Sequence, residues 1–380
     1  MISGEKPSRK AAGYSDGGLL SMRHFIDFND MIIEEWEELY ALCGDIIASP
    51  LDFADALRGR TMASLFFEPS TRTSFSFQSA MLKLGGGVFG FSDPRASSVS
   101  KGERLRDTIA MCSGYAEAVV IRSPVEGSAK AASLFSSSPV INAGDGGHLH
   151  PTQTLTDLVT IRRLRGSLES MNIGLCGDLK YGRTVHSLIK AMSRFKNITF
   201  YLISPRELSI PPYIRSFLNE NRQKYLEVTG LEATMPTLDV LYMTRIQRER
   251  FNDVSEYERF KNVYVLNQTK LKNAKNDLLI MHPLPRVDEI HMDVDADRRA
   301  VYFRQAEFGM YVRMALLLTL CRLPREYPPA PAPFEGRRSC ANLSCVTASE
   351  EYLLPLTGKI GGKTVCAYCE KEIPSSPGRM

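Results

Sequence analysis

Short apolar runs recur along the chain, each closed by a polar turn and followed by residues at helical spacing. "RTMASLFF" (60–67) reads as a buried strand. After it, Phe77, Ala80, Met81 and Leu84 fall on one helix face, and Gly85–Gly87 stop that helix. "GVFGFSD" (87–93) and "AEAVVIRSP" (116–124) are predicted strands. "PVINAGDGGHLHPTQ" (139–153) reads as a strand, a Gly-rich loop and then His150. A second set begins at "MNIGLCGD" near 171, turns through "LKYGR", and continues in a helix marked by Val185, Leu188, Ile189 and Met192. "ITFYLISP" (198–205), "VLYMTR" (240–245), "VYVLN" (263–267) and "LLIMHPLPR" (278–286) are its further predicted strands. Near-continuous apolar strands alternating with helices imply parallel sheets. The predicted fold is α/β: two doubly wound parallel-sheet domains flanking an active-site cleft, with a small C-terminal module.

The polar residues at the strand exits carry the chemistry. In "FFEPSTRTSF" (66–75), Ser70, Thr71, Arg72 and Thr73 fall at a strand-to-helix turn. Backbone amides there lack partners and the macrodipole is positive, so the turn suits an anion, phosphate most readily. Arg122 and His150 leave other strands of the first half, and Arg183, Arg245, Gln247 and His282 leave strands of the second. Open α/β sheets bind ligands at such carboxyl ends. Arginines suit phosphate and carboxylates through forked hydrogen bonds. No Asp/Glu pair, Ser-His-Asp set or catalytic Cys stands among these exits. Positioning and electrostatic stabilisation must therefore carry any reaction.

Composition sets bounds. At 380 residues, 43% hydrophobic and 24% charged, the chain suits two domains plus a small third piece. A net charge of +4 argues against nucleic-acid binding. The apolar run Met314–Leu320 is too short to span a bilayer, so no membrane association is expected. Residues 1–22 read as a polar flexible tail with no signal-peptide core, and the default location is cytoplasmic. Of the 8 cysteines, Cys43, Cys112, Cys176 and Cys321 sit in apolar patterns as buried thiols. The others follow a proline-rich linker (323–339). Cys340, Cys345, Cys366 and Cys369 form Cys-x4-Cys, a gap of 20, then Cys-x2-Cys. That spacing suits a tetrahedral structural zinc with no open position. A tail this small has too little core to fold without metal.

Several stretches together resemble the catalytic chain of the aspartate carbamoyltransferase family. They are "FFEPSTRTSFSFQSAMLKLGG", "SSVSKGERLRDT" (97–108), "VIRSPVEG" (120–127), "HPTQTLTDL" (150–158), "GDLKYGRTVHSL" (177–188), "LYMTRIQRER" (241–250) and "HPLPRVDEI" (282–290). The resemblance implies transfer of a carbamoyl group from carbamoyl phosphate to L-aspartate in pyrimidine synthesis, with no catalytic cofactor. Ser70, Thr71, Arg72, Thr73 and Arg122 match its phosphate contacts. Thr73, Arg122 and His150 match groups on the carbonyl oxygen, and Gln153 with the backbone at Pro283–Leu284 matches contacts to the carbamoyl NH2. Arg183, Arg245 and Gln247 match contacts to the aspartate carboxylates. Ser98 and Lys101 match a loop lent to a neighbouring subunit's site, which implies a homotrimer or larger with shared active sites. The one-lysine loop is more compact than the family's usual spacing. Glu68, with Arg183 and Arg250, matches an interdomain bridge. The implied domains are 23–152 for carbamoyl phosphate and 153–304 for aspartate, with a helix at 305–322 packing back on the first. "SCANLSC" and "CAYCEKE" (340–380) resemble the zinc domain of the family's regulatory chain, here fused, without room for a nucleotide-binding domain. Ornithine carbamoyltransferase is the rival, but arginines repel a cationic acceptor. A non-catalytic zinc-ribbon scaffold is the alternative of a different class.

Overall fold

In the computed structural model, residues 23–246, 263–328, 340–360 and 362–373 are described. The first domain opens with helix α1 (Ile33–Ala48) and strand β1 (Thr61–Phe66), followed by α2 (Thr71–Lys83), β2 (Gly87–Phe91), α3 (Leu105–Tyr115) and β3 (Ala118–Ser123). It closes with α4 (Ser128–Ser133), β4 (Val140–Asp145) and α5 (Pro151–Arg165). Its strands are all parallel, in the order β2-β1-β3-β4. The second domain runs β5 (Met171–Cys176), α6 (Arg183–Met192), β6 (Ile198–Ile203), α7 (Pro212–Glu220), β7 (Lys224–Val228), β8 (Val240–Met243) and β9 (Leu279–Met281). These strands are also parallel, in the order β7-β6-β5-β8-β9.

Both sheets reverse their winding once, between β1 and β3 in the first and between β5 and β8 in the second. At such a switch point the flanking connections diverge and leave a crevice beyond the strand ends. Arg72, Arg183 and Arg245 follow β1, β5 and β8, and Arg122 is the penultimate residue of β3. Two crevices are thus lined by arginines for topological reasons.

The helix Tyr302–Leu320 packs against α1, α2 and α5. Its apolar residues join one core with Phe77, Met81, Leu155 and Leu158, all fully buried. Burying such a side chain contributes roughly 1.5–3 kcal/mol, so this core fixes the helices that begin at the cleft. Among the described residues no helix is long and apolar enough to cross a membrane.

Two strand expectations need correction. Val263–Asn267 does not form a strand: Val263 and Tyr264 lie in a turn, and only Leu266 makes an isolated bridge, to Ile290. Its apolar content serves burial of Tyr264 and Leu266 instead, while Val263 stays 43% exposed. The run at 278–286 pairs only over Leu279–Met281. Pro283 and Pro285 cannot donate to a ladder, and the amide of His282 goes to the Gln305 side chain. Strand β7, "KYLEV", lacks an apolar run because it is an edge strand with a largely exposed pattern.

Candidate active site

Among the described residues, three helices begin at the cleft, and none has a side chain capping its first turn. α2 starts behind Ser70, α5 behind His150 and α6 behind Gly182, each without a side-chain cap hydrogen bond. Their first amides and positive dipole ends remain available to an anion. Pro151 opens α5, where its missing N–H costs nothing. The turn into α6 is closed by Asp178, whose Oδ1 accepts from the amides of Lys180 and Tyr181 at 3.1 and 3.0 Å.

Glu68 joins an arginine from each domain. It lies 2.8 Å from Arg122 and 3.7 Å from Arg183. Arg122 Nη1 also donates to the Ala143 carbonyl at 3.2 Å and lies 3.3 Å from His150 Nε2. Arg183 donates to the Gly146 carbonyl. Burial and the charge of Arg183 lower the Arg122 guanidinium to about 10, against the opposing pull of Glu68. Arg72 is lowered by burial and by the charge of Arg245 across the cleft. A guanidinium group depressed by a neighbouring like charge is relieved by a bound anion.

His150 is buried and held well below the usual histidine range, first by burial and then by Arg122, Arg183 and Arg313. The ring is therefore neutral at physiological pH. Arg122 can only donate, so Nε2 accepts from it and Nδ1 carries the proton, buried without a partner. A ligand oxygen that displaces Arg122 Nη1 from Nε2 would meet a neutral ring rather than a cation, and that ring donates to it in the tautomer with the proton on Nε2.

A polar network behind the cleft orients its lining. Gln153 Nε2 donates to Asp157 Oδ1 at 2.8 Å, which leaves its amide oxygen as the free acceptor. Asp157 also accepts from Gln305 Nε2 at 2.7 Å and from the Tyr242 hydroxyl at 3.0 Å. Burial pushes the Asp157 carboxyl up to about 7 despite these donors. Gln305 Oε1 takes the His282 amide at 3.0 Å, and the Leu284 amide donates to His282 Nδ1 at 2.8 Å. His282 Nε2–H therefore donates to Glu289, 2.7 Å away. The segment Pro283–Leu284, with Leu284 at φ 51, is thus tied through Gln305 and Asp157 to Gln153. Arg313, buried in the helix Tyr302–Leu320, donates to Ser76 Oγ at 3.1 Å and Thr152 Oγ1 at 3.4 Å.

Known proteins are similar to this chain in sequence and fold. The family model described as "Aspartate/ornithine carbamoyltransferase, carbamoyl-P binding domain" matches residues 23–163, and its "Asp/Orn binding domain" counterpart matches 169–320. The chain belongs to the aspartate/ornithine carbamoyltransferase family. A relative from Clostridium perfringens, "Aspartate carbamoyltransferase catalytic subunit", is 58% identical over 303 residues, 80% of this chain and 99% of its own. The solved catalytic subunit of M. jannaschii aspartate transcarbamoylase is 46% identical with a TM-score of 0.74, covering 79% of this chain and 98% of its own. Aspartate transcarbamoylase from Trypanosoma cruzi, solved with N-(phosphonacetyl)-L-aspartic acid, is 36% identical with a TM-score of 0.74, covering 78% and 95%.

Within the carbamoyltransferase body, the structure brings together Glu68, Arg72, Arg122, His150, Arg183 and Arg245, with Ser70, Thr71 and Thr73 on the same turn as Arg72. It does not bring Ser98 and Lys101 to them: both are exposed on a short turn. Gln247 and Arg250 lie outside the described residues. His282, expected at the cleft, is buried behind it. Sequence reasoning missed Asp157, Gln305 and Arg313. Asp157 stands one helical turn from Gln153, and Arg313 is a lone charge inside "GMYVRMALLL"; both signals were readable.

Beyond the family match, Cys340, Cys345, Cys366 and Cys369 meet, with all four sulfurs within 4.8 Å of one another. Cys340 and Cys369 Sγ are 3.6 Å apart, and Cys345 and Cys366 Sγ 3.8 Å. Tetrahedral coordination at ~2.3 Å per Zn–S bond separates sulfurs by about 3.8 Å, so this buried set fits a closed structural metal site. The hairpin β10 (Thr357–Ile360) and β11 (Lys363–Cys366) carries one half of it. The module docks on the first domain of its own chain. Glu126 exchanges backbone hydrogen bonds with Ser344 and Val346 at 2.9 and 2.8 Å, and its carboxylate accepts from Asn342 at 2.7 Å. Cys345, Val346, Leu353 and Tyr368 share a core with Leu65, Leu105 and Ile109.

Proposed function

We propose that the chain is an aspartate carbamoyltransferase. It transfers the carbamoyl group of carbamoyl phosphate to the amine of L-aspartate, giving N-carbamoyl-L-aspartate and phosphate, the second step of de novo pyrimidine synthesis. The observation that carries this reading is the convergence of Arg72, Arg122, Arg183 and Arg245 with neutral His150 at the switch points of two sheets. The C. perfringens relative named for this activity supports it.

Phosphate sits at the uncapped start of α2, held by Ser70, Thr71, Arg72, Thr73 and Arg122. Gln153 and the carbonyls at Pro283–Leu284 accept from the carbamoyl NH2. Arg183, Arg245 and Gln247 take the aspartate carboxylates, which also explains the choice of an anionic over a cationic acceptor. The neutral amine attacks the carbonyl carbon. His150, Thr73 and Arg122 stabilise the oxyanion that forms. The carbon–oxygen bond to phosphate then breaks, and the departing phosphate takes the amine's proton. Movement of the domains about the Glu68–Arg183 contact brings both substrates into register and excludes water.

Two further parts belong to this reading. Ser98 and Lys101, exposed on their short turn, complete a neighbouring subunit's site in a homotrimer or larger assembly. Zinc, held by Cys340, Cys345, Cys366 and Cys369, supplies folding stability to the C-terminal module and no chemistry.

Phosphate release from carbamoyl phosphate by the purified chain, with L-aspartate or L-ornithine as acceptor, is the test. Turnover with aspartate alone is expected. Turnover with ornithine would overturn the roles of Arg183 and Arg245. No turnover with either, from a folded and metal-loaded oligomer, would overturn the enzymatic reading and favour a scaffold.

A further inference from the structure

The C-terminal module does not stop at the first domain. After the Cys366–Cys369 knuckle, Glu370 adopts a left-handed backbone at φ 57, and its amide donates to the Cys366 carbonyl at 2.9 Å. From there its carboxylate accepts from Lys190 Nζ at 2.9 Å and lies 3.6 Å from His148 Nε2. Lys190 is on α6, the helix that opens with Arg183. His148 is in the loop that leads to His150, and its other nitrogen is 2.9 Å from Asp145. Lys371 follows, with Nζ 5.5 Å from the ring of Tyr213 on α7. The Tyr213 hydroxyl meets His186 of α6 at 2.8 Å. Two consecutive residues thus reach the second domain, while Glu126, Asn342 and Tyr368 root the module in the first.

We propose that the C-terminal module is an intramolecular strap between the two domains. Through the Glu370–Lys190 and Lys371–Tyr213 contacts it fixes how α6 and α7 meet the first domain, and so sets the affinity for the anionic acceptor held by Arg183 and Arg245. The proposal rests on the functional reading above. Lys190 lies two turns along α6 from Arg183, ~10 Å on a stiff rod, so a shift at one end moves the other. The Lys190 and Glu370 side chains are only 17% and 29% exposed, so solvent screens their attraction less than at the open surface. A contact made in one arrangement of two domains and lost in another biases their equilibrium by its own free energy. Glu370 is bonded to Cys369, so the metal ligand holds the strap's tip in place. Neither the Glu370–Lys190 nor the Lys371–Tyr213 contact touches α2, whose first turn is the phosphate site, so carbamoyl-phosphate affinity should be spared.

The test is a charge swap. K190E, E370K and K190E/E370K are compared with the wild type for both KM values, for calorimetric affinity for N-(phosphonacetyl)-L-aspartate, and for metal content and oligomeric state. Each single reversal should raise KM for aspartate about 5–50-fold, weaken the analogue in parallel, and leave KM for carbamoyl phosphate within about twofold. The double reversal should recover part of both losses and exceed either single variant, because the reversed charge at position 370 still faces His148. Unchanged aspartate KM in K190E, or a double variant no better than the singles, would overturn the strap. Should E370K shed its metal, K190R against K190E decides: recovery only in K190R supports the strap, and equal values overturn it. Failure of the wild type to use aspartate at all would sink the functional reading instead.

Discussion

His148 and His150 sit two residues apart and are driven in opposite directions. His150 is pushed well below its usual value by burial and three arginines. Burial alone would lower His148 too, but Asp145 and Glu370 prevail and raise it to about 10. The first is neutral and the second charged at physiological pH, so only the first can serve as a neutral donor to a carbonyl oxygen. His150→Ala should cut kcat by about 10²–10³-fold with little change in carbamoyl-phosphate affinity; near-normal kcat would remove it from the mechanism. The kcat profile should show no limb from a histidine titrating near 6.5. The linkage signs also differ. His148 has a raised pKa, so its contribution to stability is fully present below ~6.5 and is lost as pH climbs towards 10. His148→Gln should lower stability by about 1–3 kcal/mol at pH 6, a gap that closes by pH 10 in denaturant unfolding. A constant gap would show that the charge is not what stabilises. His150 acts the other way: its depressed pKa withdraws stability as pH falls below ~6.5.

At the scale of elements, the cleft depends on close approaches that glycines permit. Gly144, at φ +125, ends β4 where an added Cβ would lie 3.1 Å from Arg122 Nη1 and 3.5 Å from Arg183 Nη2. Gly144→Ala should strain the backbone and push the Arg122 guanidinium by a few tenths of an ångström, lowering kcat/KM by about tenfold; steady-state kinetics would show it. Gly127, at φ +83, lies under the C-terminal module, where a Cβ would meet the Tyr368 backbone at 2.7 Å. Gly127→Ala should loosen the module while leaving the body folded. Limited proteolysis would then release residues beyond 328 faster than in the wild type, and equal cleavage rates would refute the contact's importance. The strands themselves were largely legible, because parallel strands buried on both faces must be apolar throughout. "VYVLN" misled for the same reason: an apolar run reports burial, not pairing. "KYLEV" went unseen because an edge strand needs no apolar face.

For the whole molecule, four buried sulfurs organise a module that is small yet touches both domains. Chelation should expose the four thiols and unfold the C-terminal module without unfolding the body, because the body has its own cores. Thiol titration alongside circular dichroism would show this, and loss of all structure in one transition would contradict it. Under the proposed reading the exposed Ser98 and Lys101 complete a neighbour's site, so a dilute monomer should lose activity with its neighbours. Sedimentation and activity measured on the same dilution series should fall together.

The sequence by itself determined the two-sheet architecture, the anion-binding turn at Ser70–Thr73, the arginines at the strand exits and the grouping of four cysteines. Each is a local property: hydrophobic period, helix-start chemistry, residue spacing. Only the tertiary structure decided which exits share a crevice, because strand order is set by packing and not by neighbours in the chain. It also decided that Asp157 and Gln305 link Gln153 to the backbone at Leu284, across 148 residues at one contact. Glu370, a surface-like glutamate in sequence, became the meeting point of both domains for the same reason. Hydrophobic patterning fixes what is buried; long-range electrostatics and hydrogen bonds acquire partners only once the chain has folded.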